Sequence, residues 1–178
     1  LKTHTRIPTD VGVKPKIYGG SYHIPQDELD EFYKIYYDNV ITGGTVMTLT
    51  EKQNEDEGKL YIDLDFRFAL ENGKRHHTPI WVEELIGIYA DKIKSFYNFE
   101  NDDSLDIYVM ERDDGYVKGD LYKDGLHIIV NIEMPRKIQE KLRTEMINDK
   151  YVIELMGELP LENSLEDVFD KGLSTGST

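Results

Sequence analysis

Asp63 and Asp65 flank Leu64 inside the run Leu60-Tyr61-Ile62-Asp63-Leu64-Asp65-Phe66-Arg67-Phe68, and they are the side chains whose spacing points most directly to chemistry. In a strand, residues two apart share a face, so both carboxylates point the same way from Cα atoms roughly 6.5–7 Å apart. Hard oxygen donors suit Mg²⁺ or Mn²⁺. Two such ions, about 3.5–4 Å apart, activate an attacking hydroxyl and stabilise a leaving pyrophosphate. Aspartate is a poor strand former, so a pair of them in one strand needs a reason. On these residues alone a surface acid pair and the metal site of a nuclease also stay open. His127, on a second strand, and Lys123 are donors that would reach triphosphate oxygens. Arg67 shares the carboxylate face and either joins those donors or pairs with an aspartate. A lone strand histidine also serves as a satisfied structural residue.

The elements that must position these groups follow from periodicity. Leu60, Ile62, Leu64, Phe66 and Phe68 alternate with the acids and predict a strand with one apolar face. Leu126, Ile128, Val130 and Ile132 alternate with His127, Ile129 and Asn131, predicting a second strand into which Tyr122–Gly125 leads after an Asp113-Asp114-Gly115 turn. Strands are also expected at 45–50, 105–111 and 151–155. Leu29, Phe32, Tyr33, Tyr36 and Val40 have helical spacing, with acids in the first turns and Gly43-Gly44 as a stop. Thr78 as N-cap and Pro79 at the first helical position open a helix to about Phe99, with Trp81, Leu85, Ile88, Tyr89, Lys92 and Phe96 along one stripe. Further helices are expected from Pro135, through Ile138, Leu142 and Met146, and over 164–171. Lys74-Arg75-His76-His77 reads as a solvated basic loop. Residues 1–25, rich in Pro and Gly, read as an extended basic arm, 26–172 as a globular α/β body and 173–178 as a polar tail, together a single domain.

The chain has 178 residues with 39% hydrophobic content, 12 Tyr and 6 Phe, enough for one packed core. It has no Cys, which excludes disulfides and Cys-based zinc sites. No apolar segment is long enough for a membrane span or a secretory signal, so a soluble intracellular protein with no membrane partner is expected. The net charge of −14 opposes a nucleic acid backbone if spread evenly. It is uneven: Lys2, Arg6, Lys14 and Lys16 face only Asp10 within the first 20 residues, whereas 51–57 and 158–170 are acidic. A polyanion would approach the basic arm, where Arg6, Lys16 and Tyr18 are candidate nucleic-acid contacts.

The segment Leu60–Phe66 resembles the first motif of archaeo-eukaryotic primases, an apolar run ending in Asp-x-Asp. Lys123-Asp124-Gly125-Leu126-His127-Ile128-Ile129-Val130 resembles their second, a small residue-x-His entering a strand. Thr3-His4-Thr5-Arg6, Ile17–Pro25 and Asp63–Arg67 extend the likeness to the primase domain of primase–helicases of nucleocytoplasmic large DNA viruses, over nearly the whole chain. The resemblance implies an α/β (α+β) fold with an antiparallel or mixed RRM-like sheet flanked by helices. It also implies metal-dependent synthesis of primers on single-stranded DNA from nucleoside triphosphates, at a viral replication site, with a C-terminal helicase domain in the longer protein. Asp63 and Asp65 would be metal ligands, and His127, Lys123, Gly125 and Arg67 nucleotide-binding. Gly125 stands where many members have Ser, leaving the phosphate contact to a backbone N–H or to nothing. The family's third Asp follows a Gly-Ser-Thr-like segment such as Gly176-Ser177-Thr178. Asp149, Asp167 and Asp170 do not read as ends of apolar strands, so the third carboxylate is expected outside these residues and the domain is expected to be incomplete as a catalyst. The alternative is an inactive nucleic-acid-binding or oligomerisation module of a replication complex.

Overall fold

The computed structural model describes residues 2–52, 56–96 and 105–174. Contacts divide the chain into two compact units, Leu1–Gln53 and Asn54–Thr178, so residues 26–53 fall with the basic arm.

In the first unit, β1 (His4–Arg6) lies between β2 (Gly20–Tyr22) and β3 (Leu49–Glu51), antiparallel to both. The N-terminal segment is therefore more than an extended arm. Its turns bring two three-residue strands together, too short to announce themselves by alternation. A 3₁₀ turn, Gln26–Glu28, leads into α1 (Leu29–Tyr36), which continues as a π-helical stretch, Tyr37–Thr42. Gly44, at φ 66°, stops it as expected. Phe32 packs edge-on against the ring of His4 at 5.1 Å. His4 is the one buried residue among those described in this unit.

The second unit is built on two long strands, β4 (Glu57–Ala69) and, later in the chain, Leu121–Pro135, paired antiparallel along their lengths. Between them come α2 (Pro79–Phe96), β5 (Ile107–Glu111) and β6 (Tyr116–Lys118), which makes the long second strand β7. The sheet order is β4-β7-β5, with β6 also paired to β7. The expected fold class, antiparallel sheet with flanking helices, is what forms. Gly119, at φ 62°, makes the tight β6–β7 turn. After β7 come α3 (Arg136–Ile147), α4 (Lys150–Met156), α5 (Leu165–Val168) and α6 (Lys171–Ser174).

Alternation explains the core. Leu60, Ile62, Leu64, Phe66 and Phe68 of β4 and Leu126, Ile128 and Val130 of β7 are buried on one face. They pack in one cluster with Trp81, Leu85, Tyr89 and Ile93 of α2 and with Leu142, Met146, Val152 and Leu155 of α3 and α4. Each large apolar side chain so buried is worth about 1.5–3 kcal/mol. The Thr78 hydroxyl accepts the Trp81 N–H at 3.2 Å, confirming the N-cap, and the Trp81 indole N–H donates to the Leu155 carbonyl at 2.9 Å. The helix is described to Phe96, so the expected end at Phe99 lies outside the described residues.

Three expectations change. Tyr151–Leu155 is helical, not a strand: the Asp149 carboxylate accepts the Tyr151 N–H, and Val152, Leu155 and Met156 meet the core at helical spacing. The second strand starts earlier than Leu126: Tyr122–Gly125 is already part of β7, paired with Asp65–Phe68. The basic run after Gly73 is only partly solvated: Lys74 is exposed, but His77 is buried, stacked near Phe66 and Trp81, and Arg75 reaches inward to Asp124. No described helix is long and apolar enough to cross a membrane.

Candidate active site

The β4–β7 register assembles the site. Asp63 stands opposite His127, Asp65 opposite Gly125 and Arg67 opposite Lys123. All six lie on the face of the sheet that does not enter the core, as strand parity requires. The His127 Nε2 lies 3.1 Å from the Asp63 carboxylate. A cleft of about 160 Å³ opens there, lined by Asp63, Asp65, Lys123 and His127 together with Arg112 from the turn between β5 and β6 and Tyr116 at the start of β6. Burial raises the Asp63 carboxyl above its usual value. His127 pulls it down, Asp65 and Asp170 push it further up as like charges, and Arg112 lowers it.

Asp170 reaches this neighbourhood through backbone pairing. The segment 162–170 runs antiparallel along the outer edge of β4, with α5 looped out in the middle. The Glu162 N–H donates to the Arg67 carbonyl at 2.8 Å. The Asn163 amide then imitates a strand residue, donating to the Asp65 carbonyl at 2.9 Å and accepting the Arg67 N–H at 3.1 Å. Phe169 bridges Leu64, and the Asp170 N–H donates to the Asp63 carbonyl at 3.0 Å. Arg143 of α3 fastens the end of the segment, donating to the Phe169 and Glu166 carbonyls at 2.7 and 2.8 Å. Asp170 thus follows two buried apolar residues, Val168 and Phe169, at the end of a bridge to the acidic strand, a position that the short helical pattern before it masks in the sequence.

Among the described residues no three His, Cys, Asp or Glu side chains already converge as a metal cluster. The donor set still fits a hard divalent ion. Asp63 and Asp65 offer oxygens into one cleft, and the burial and like-charge repulsion that together raise Asp63 are what a bound cation offsets.

Behind the site, Asp124 is buried on the core side and accepts from Arg75 Nε at 3.0 Å and Nη2 at 3.2 Å. Burial works against its ionisation, but the Arg75 hydrogen bonds, the Gly125 N–H and the charges of Arg75 and His77 prevail and hold it below the ordinary aspartate value. His77 Nε2 lies 3.1 Å from Glu111, which also pairs with Arg75 at 3.2 Å. The network fixes the backbone at Gly125, whose N–H is taken by the Asp124 carboxylate at 2.9 Å. That N–H is therefore already engaged by a carboxylate. A Cβ at 125 would run into the Leu64 carbonyl, so this strand pairing admits Gly and excludes Ser without a backbone shift. Arg67 makes no ion pair among the described residues, and its buried Nε lacks a hydrogen-bond partner.

In the first unit the three candidate nucleic-acid contacts do come together. Arg6 Nε donates to the Tyr18 carbonyl at 2.6 Å while its guanidinium sits 5.2 Å from the Tyr22 ring centre. Lys16 lies 5.1 Å from the Tyr18 ring centre. Both tyrosines are exposed, Tyr18 at 67%.

Residues 13–178 match the family described as the C962R protein N-terminal AEP domain, a group of archaeo-eukaryotic primases. A helicase-named protein of Acanthamoeba polyphaga mimivirus, L207/L206, is 35% identical over 155 residues, which is 86% of this chain and 16% of that protein. The chain thus spans a small part of that relative's length. The family match takes in the acidic pair, His127 and Asp170, whereas Arg6 precedes it.

Proposed function

Since the chain belongs to the C962R-type archaeo-eukaryotic primase family, we propose that it is the nucleotidyl-transfer module of a primase that extends primers on single-stranded DNA from nucleoside triphosphates. The observation that carries this reading is the antiparallel β4–β7 pair, which sets two aspartates across from a histidine in one open cleft while a third aspartate is tied beside them. Asp63, Asp65 and Asp170 would hold Mg²⁺ or Mn²⁺, which when bound supplies charge neutralisation at the α-phosphate and lowers the pKa of the attacking hydroxyl. In the reaction a 3′-hydroxyl oxygen bonds to the α-phosphorus as the bond to pyrophosphate breaks. His127, poised between Asp63 and solvent, donates to a phosphate oxygen, and Lys123 donates from the same strand. Gly125 lets the two strands approach closely enough for this. Arg6, Lys16 and Tyr18 would bind template, the cations on phosphate and the ring on a base. The relative's helicase name supports a helicase domain elsewhere in a longer chain, and its mimivirus source supports a role in copying viral DNA.

Titration calorimetry with Mn²⁺ and a nucleoside triphosphate tests the reading. Saturable binding that Asp63→Ala, Asp65→Ala and Asp170→Ala each abolish or weaken at least about tenfold is expected. Single-stranded DNA binding with no metal-dependent nucleotide binding would favour the non-catalytic module instead.

A further inference from the structure

We propose that Arg112, on the turn between β5 and β6, is a phosphate-binding residue of the nucleotide site, gripping the outer phosphates of the triphosphate with Lys123. This rests on the nucleotide-binding reading above and adds a residue that neither strand motif contains.

Arg112 faces the acidic cleft, which it lines with Asp63, Asp65, Lys123 and His127, and its positive charge is felt at Asp63. Its guanidinium is free for a ligand. It lies 4.9 Å from the centre of the Tyr116 ring, an arrangement that holds the plane by its face and leaves the N–H donors at its edge open. It makes no ion pair among the described residues, and two nearby carboxylates, Glu111 and Asp114, are engaged elsewhere. Glu111 pairs with Arg75 and His77, and Asp114 accepts from the Tyr122 hydroxyl and the Gly115 N–H.

The backbone below Arg112 is fixed. Arg75 Nη2 donates to the Arg112 carbonyl at 2.7 Å while the same guanidinium is held by buried Asp124. One arginine therefore ties the turn to the strand that carries Lys123 and His127. A surface arginine that merely decorated a turn would not need its carbonyl held by a charge network reaching the core.

Charge selects the ligand. Arg112 and Lys123 balance Asp63 and Asp65 across the cleft. Once a divalent cation neutralises the two carboxylates, Arg112 and Lys123 are left as uncompensated positive charges lining the cleft. A triphosphate brings more charge and more acceptor oxygens to them than a monophosphate does, and a nucleoside brings none.

The test is calorimetry of the 178-residue chain in Mn²⁺ with dATP, and separately with dAMP, for the wild type, Arg112→Ala and Arg112→Lys, with thermal unfolding run on each. Arg112 is exposed, so the midpoints should coincide. Arg112→Ala is expected to weaken dATP binding about tenfold and dAMP binding less than about twofold, with Arg112→Lys recovering part of the loss. Wild-type affinity for dATP in Arg112→Ala, or equal losses for dATP and dAMP, overturns the assignment alone. A wild type that binds no dATP in Mn²⁺ overturns it together with the primase reading.

Discussion

The two units hold their candidate binding residues in opposite ways. In Asn54–Thr178 the acids and His127 stand on strands of 13 and 15 residues whose other face is continuous core. In Leu1–Gln53 the basic and aromatic contacts stand on strands of three residues, with one buried residue beneath them among those described. The first arrangement fixes positions to fractions of an ångström, as metal and phosphate chemistry requires. The second holds its cations by ring stacking and a few backbone bonds, which suits a backbone-tracking grip that tolerates sequence and register.

The contrast can be broken most forcefully in the core. Leu64→Ala, between the two acids and fully buried, is expected to cost about 3–5 kcal/mol in urea unfolding and to remove metal-dependent nucleotide binding with it. Phe32→Ala in the first unit should cost about 1 kcal/mol and leave that binding intact; equal costs would erase the distinction. Gly125→Ala comes next, at about 1–3 kcal/mol, because its Cβ meets backbone rather than a movable side chain. A smaller effect lies in acid. Asp124 has a lowered pKa in the fold, so its contribution is complete above the ordinary aspartate value and fades as pH falls through the lowered one. Below about pH 4 the wild type should lose stability more steeply than Asp124→Asn, and parallel curves would deny the network its role. The mildest expected change is in the first unit: Arg6→Ala and Lys16→Ala should each weaken single-stranded DNA binding about three- to tenfold. Each should also lower the salt slope by about 0.7, with nucleotide binding and stability unmoved.

Much of the second unit was legible because alternation and caps agree with its packing. The β4 pattern, the parity of Leu126 to Val130, Thr78 as cap and the α2 stripe all follow from local residues that also face the core. Failures came where a distant partner decides. Tyr151–Leu155 is β-branched and aromatic enough to suggest a strand, but Asp149 caps it and the core takes its helical face. The Arg75–His77 run looks solvated until Asp124 and Glu111 arrive from elsewhere in the chain. β6 is three exposed residues with meaning only as a partner of β7. The placing of Asp170 was not legible because the bridge before it joins Phe169 to Leu64, 105 residues earlier, and no local period reveals a single bridge.

The pairing of 162–170 with β4 has a consequence for solution behaviour. A strand with a bare row of amides and carbonyls is a template on which another copy can add a strand. Here Gln139 takes the carbonyls of Gly58 and Lys59, and Glu162, Asn163, Phe169 and Asp170 take the row from Asp63 to Arg67. The segment that draws Asp170 to the acids thus also serves as a guard rail against edge-to-edge self-association.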